Sequence, residues 1–137
     1  AGLLKAFTVE GESFNFVDVL SIPGASFQDW ADFRACVYFP YEWLQTMMFY
    51  DWVNIGIPIF VPDSPLYTLT HGTNPPEEWL ATTWRVPTSV YPHSFNDWSD
   101  LAGRQYWWLL TDFRALPGIG SFKSIADLFA LLAAADE

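Results

Sequence analysis

Ala35-Cys36-Val37-Tyr38-Phe39-Pro40 and, after sixteen intervening residues, Ile57-Pro58-Ile59-Phe60-Val61-Pro62 are the two runs that decide the fold of this 137-residue chain. Each is short, apolar and bounded by Pro or Gly, the pattern of a strand buried within a sheet. Pro58 is tolerated because it falls at a strand start. Between them, residues 42–55 have the length of an ordinary helix and carry Trp43, Leu44, Met47, Met48, Phe49, Tyr50, Trp52 and Val53. Those residues cover nearly every side of a helix, which predicts a helix covered on both flanks. Gly56 is placed just past its end, where a left-handed residue commonly stops a helix. Strand, helix and strand make a compact βαβ unit, and such crossovers are parallel and right-handed.

Working outward, residues 3–9 alternate weakly and predict a first strand, whereas residues 14–24 show no sustained period and read as loop. Ser26, with Asp29 in the first turn, predicts a short helix over residues 27–33. Ser64-Pro65 predicts a helix start running to Thr70, and residues 77–84 a further short helix. Asp97 or Asp100 caps a helix reaching about Phe113 and holding Trp107 and Trp108. Residues 119–122 form a short strand, and Ser124 with Asp127 opens a final helix to about Ala135. The predicted class is α/β: one Rossmann-like three-layer domain, residues 1–137, with a short parallel sheet and flanking helices.

Composition narrows the function. Six Lys and Arg stand against sixteen Asp and Glu, a net charge of −10. Counterion release at a phosphate backbone needs clustered cations, but the basic residues here are scattered singly, so nucleic acid is an unsuited partner. The same balance disfavours an anionic membrane surface. No apolar stretch approaches the roughly 20 residues a membrane-spanning helix needs. The single Cys36 excludes a disulfide scaffold. The chain opens at Ala1 with neither Met nor a signal-peptide pattern, which reads as a processed protein, a fragment or part of something longer. An acidic chain of pI ≈ 4.3 suits an organelle lumen.

Candidate chemistry is sparse. His93 lies near Asp97 and Asp100 and is placed to act as a general base, although a turn histidine has the same pattern. There is no nucleophile elbow, no metal-ligand spacing and no cofactor motif. Gly118-Ile119-Gly120 lacks the third glycine of a phosphate loop and reads as a turn. Eight Trp, six Tyr and twelve Phe exceed what a small core obviously needs. Trp79, Trp84, Trp98, Trp107 and Trp108 are candidates for an interaction surface, covering a protein partner or stacking on a glycan.

The stretch PYEWLQTMMFYDWVNIGIPIFVPD, residues 40–63, resembles the donor-binding region of GT-B glycosyltransferases. In that family a strand, a Pro-containing loop with an acidic residue, a helix, Gly-x-Pro and an apolar strand follow one another. Residues 31–42 and 106–132 are similar to an uncharacterised eukaryotic subgroup carrying that domain, as the donor-binding C-terminal half. The resemblance implies donor-binding roles for Tyr41, Glu42, Asp51, Asp63 and Ser64. Asp51, five residues before Gly56, matches the carboxylate that binds the ribose of a nucleotide sugar. Glu42 lies one position from the family's first acidic site, and the family's basic phosphate-binding pair has no counterpart except Lys5.

A GT-B enzyme places donor and acceptor in separate Rossmann-like halves, and this length holds one. The expectation is therefore a glycosyltransferase-derived half-domain without catalysis, docked as an accessory subunit of a larger protein assembly. The alternatives are the nucleotide-sugar-binding half of an active transferase and a carbohydrate-binding module.

Overall fold

The structure, a computed structural model, describes residues 5–9, 12–40, 47–64, 92–93 and 100–135. Its centre is a three-stranded parallel sheet of β3 (Cys36–Val37), β4 (Ile59–Pro62) and β5 (Ile119–Phe122), in that spatial order. The register pairs Cys36 with Ile59 and Phe60 with Gly120. All four residues of β4 are buried, as expected of the central strand of a sheet covered on both faces.

Side chains alternate between those faces. Cys36, Ile59 and Val61 point to one, where α2 (Met47–Ile55), α3 (Leu101–Leu109) and α4 (Asp112–Ala115) supply Phe49, Trp52, Trp108 and Phe113. Phe49 and Phe113 meet edge to face at 4.7 Å. Trp30, from α1 (Phe27–Ala31), stacks on Trp52 at 5.0 Å and joins this layer. Phe60 and Phe122 point to the other face, against Leu128 and Leu132 of α5 (Ile125–Ala134). The α/β class and the flanked parallel sheet thus agree with the sequence reading.

Three elements depart from it. Residues 14–24 were expected to be loop, but β1 (Lys5–Val9) and β2 (Glu12–Phe16) form an antiparallel hairpin. The hairpin packs Phe14 and Phe16 against Phe129 of α5. Exposed Ser13 and Asn15 alternate with these two rings, so β2 follows an ordinary half-buried pattern. The predicted helix reaching Phe113 breaks at Leu110-Thr111, giving α3 and α4. The helix α2 is also not covered all round: Phe49 and Trp52 are buried, but Met47, Met48 and Tyr50 are exposed.

Local signals act as expected elsewhere. Gly56 and Gly118 take positive φ, 83° and 84°, where the chain stops α2 and enters β5. Ser26 and Asp29 complete a reciprocal capping box at α1. Ser124 Oγ accepts from the Asp127 N–H at 3.1 Å, but Asp127 takes the Lys123 N–H instead of closing the box. The helices expected over residues 65–70 and 77–84 lie outside the described residues. Among the described residues no helix is long and apolar enough to cross a membrane.

Candidate functional site

Parallel strands end together, and ligands of open α/β sheets bind outside those carboxyl ends. Here the end is built from Tyr38-Phe39-Pro40 after β3, Asp63-Ser64 after β4 and Lys123-Ser124 after β5. The Asp63 N–H donates to the Phe122 carbonyl at 2.7 Å, extending the β4–β5 ladder by one residue. Asp63 Oδ1 accepts the Ser64 N–H at 2.9 Å and lies 3.9 Å from Arg114 Nη2. Ser64 is buried. Asp63 is therefore a turn-forming carboxylate already beside a cation.

The expected donor set is only partly gathered. Asp51 is half-buried on α2, four residues beyond Met47 and in a different layer from Asp63. Tyr41 and Glu42 lie outside the described residues. Two cations that the sequence reading missed stand at this end, Arg114 beside Asp63 and Lys123 directly after β5. Their signal was available. The predicted strand at residues 119–122 places Lys123 at its carboxyl end. Asp63 stands beside Arg114, and Asp127 accepts the Lys123 backbone N–H, so the formal charges of these four residues sum to zero and give no net positive charge for a diphosphate.

What does collect there is apolar surface. Phe39, 46 % exposed, leaves β3, and Met47, Met48 and Tyr50, 80 %, 37 % and 40 % exposed, begin α2. The Tyr50 hydroxyl donates to Asp112 at the start of α4, which ties this patch to the exposed Leu109-Leu110 turn.

The tryptophans divide. Trp108 has no exposed surface and stacks on Phe113 at 5.5 Å, so it belongs to the core and not to an interaction surface. Trp107 is half-buried, edge-on to Tyr106 at 5.2 Å. Trp79, Trp84 and Trp98 lie outside the described residues. Among the described residues no group of three or more His, Cys, Asp or Glu is arranged to hold a metal ion.

His93 and Asp100 do meet. Nδ1 lies 3.0 Å from Asp100 Oδ2, and the ring packs against Tyr106. The Gly103 N–H first, and His93 second, hold the Asp100 carboxyl below its usual range. Asp100 occupies the N-cap of α3 without closing a full side-chain capping bond. A Cβ on Gly103 would sit 2.6 Å from Asp100 Oδ2 and 3.2 Å from His93 Cβ, so any larger residue there would displace the pair from this geometry. The arrangement orients an imidazole, the supporting half of a general-base system. Cys36, the chain's only thiol, is buried mid-strand with its pKa pushed up to about 12, and cannot serve as its nucleophile.

No family model, curated protein or solved structure matches the chain. The glycosyltransferase resemblance rests on the sequence motif alone.

Proposed function

We propose that this chain is a non-catalytic docking subunit, a glycosyltransferase-like half-domain that holds a protein partner against the carboxyl edge of its sheet. One observation carries the reading: Phe39 just after β3 and Met47, Met48 and Tyr50 at the start of α2 are exposed, and Phe39 and Met48 line one groove, beside the place where an α/β enzyme of this kind opens its ligand crevice. Large apolar side chains grouped at one place mark partner surfaces. The Asp63–Arg114 pair, and the Asp127 carboxylate held on the Lys123 backbone N–H, favour it further over diphosphate binding.

The test compares partner capture from the native source by the wild-type chain and by Met47→Asp. Met47 is 80 % exposed, so the change should leave the melting temperature in place while abolishing capture. Equal capture by the variant removes this surface from the reading. Saturable heat from UDP- or GDP-sugars, with or without Mg²⁺, weakened by Asp51→Ala, replaces it with nucleotide-sugar binding. Glycan-array binding lost in Trp107→Ala replaces it with carbohydrate recognition.

A further inference from the structure

A groove of about 510 Å³ runs along the outer side of β3, and most of its lining is apolar. Its ceiling includes Cys36 and Trp52, its floor Phe14 and Leu132, and its far wall the chain after β2, including Val19. Residues 35–39 of β3 and its continuation border it, a length of roughly 16 Å at strand rise. The inner wall is a sheet edge. The Cys36 and Tyr38 N–H groups donate inward to Pro58 and Phe60, each at 2.8 Å. Alternation in a parallel ladder therefore turns the N–H and C=O of Val37 outward, into the groove.

Topology assigns an occupant to that position. Crossovers of one hand on one face of a sheet step in one direction, and a crossover on the other face steps back. The connections through α2 and through α3–α4 share one face and lead from β3 to β4 to β5. The helix α5 lies on the opposite face and runs back toward β3, where Arg34 Nη2 donates to the Ala133 carbonyl at 3.2 Å. The next parallel strand of this sheet belongs on the outer side of β3, which is the groove.

Charge decides whose strand it is. Two copies of a chain of net charge −10 repel one another, whereas a basic segment is drawn in. Within the groove Asp18 and Arg34 balance each other and leave that long-range field in control. The groove also opens onto the docking patch, because Phe39 and Met48 line both.

We propose that this groove binds an extended, lysine- or arginine-flanked segment of a partner protein, which adds to the sheet as a fourth strand parallel to β3. This rests on the docking reading above and names the chemistry of the partner. Main-chain bonds to Val37 supply affinity, and alternate side chains pack up onto Trp52 and down onto Phe14 and Leu132.

The test is fluorescence anisotropy with a labelled peptide of about ten residues, alternating Val and Thr between paired lysines. Saturable binding is expected, and replacing the lysines by glutamates should weaken it by roughly tenfold or more. N-methylation of the amides on one edge of the peptide should abolish it, as should Val37→Pro, whose lost N–H serves no bond within the sheet. The Val37 amide should gain exchange protection on binding. The proposal fails if the lysine-flanked peptide does not bind at millimolar concentration, or if neither edge is sensitive to N-methylation. It fails equally if sedimentation shows two copies pairing through this edge. If the peptide fails while Met47→Asp still abolishes capture, the groove is lost and the docking patch stands, because Met47 does not line the groove.

Discussion

Gly120→Ala is the sharpest probe of how this sheet is assembled. Gly120 sits opposite Phe60 in the β4–β5 register. A Cβ there would lie 2.5 Å and 2.7 Å from two carbons of the Phe60 ring, and 3.6 Å from the Ile59 carbonyl. The ring cannot withdraw freely, because Phe60 is buried in the layer formed by Phe122, Leu128 and Leu132. Overpacking of this kind costs about 1–3 kcal/mol. For a domain of this size that lowers the melting temperature by roughly 4 °C per kcal/mol. The assay is urea denaturation of wild type, Gly120→Ala, Phe60→Val and the double variant. In the Phe60→Val background the added methyl has room, so the alanine penalty should vanish, with a coupling of about 1–3 kcal/mol. Gly118→Ala is the control. Its φ of 84° carries a backbone cost of about 1 kcal/mol, but no atom lies within 4 Å of the new methyl, so no coupling to Phe60 follows. A Gly120→Ala penalty below about 0.5 kcal/mol, unchanged by Phe60→Val, would refute the register and with it the placement of α5.

Two pH effects follow from burial and hydrogen bonding in the fold. Burial raises the Cys36 thiol to about 12, so folding is unopposed by it below pH 9 and weakens as the unfolded thiol ionises between pH 9 and 12. The loss is at most about 1.4 kcal/mol per pH unit. Denaturation of Cys36→Ala alongside wild type at pH 8 and 10.5 should show the wild type losing more. Asp100 shifts the other way. Its carboxyl is held low by the Gly103 N–H and by His93, so its contribution is present above pH 4 and disappears as pH falls through its folded value. Asp100→Asn should therefore destabilise at pH 7 and be close to neutral near pH 2.5 by thermal unfolding. Gly103→Ala, which pushes into both members of the pair, should destabilise by about 1–3 kcal/mol and remove the His93 chemical-shift response to Asp100→Asn.

The parallel unit was legible because both of its strands are continuous apolar runs ended by Pro, which few other structures accommodate. Residues 119–122 were legible too, since Pro117-Gly118 punctuates one end and Ser124 the other. The hairpin was not. Its second strand alternates polar and apolar only from Ser13 to Phe16, and a window opened at Phe14 loses the start of that pattern. The exposure of Met47 and Tyr50 was hidden for a different reason. Periodicity reports which faces of a helix are apolar, but how many of those faces have neighbours is settled by distant elements. The meeting of His93 with Asp100 was half legible. Spacing brought them close in sequence, while the permission came from Gly103, whose missing side chain reads as nothing in a pattern of polarity.

Acidity and apolar exposure, which look like opposed properties, fit together at the edge of the sheet. A short parallel sheet presents two edges, and natural proteins blunt such edges to prevent self-pairing. In this chain the edge at β3 is blunted by its shortness, but the apolar groove beside it still offers a surface for pairing. A net charge of −10 opposes that pairing without filling the groove or covering Met47. The same field that keeps two copies apart lowers the barrier to a basic partner. On the docking proposal, the carboxylates near the sheet's carboxyl end act through what they exclude, other copies of this chain and phosphates alike. On that proposal selectivity resides in the charge, and affinity in the aromatic and aliphatic walls that the charge leaves open.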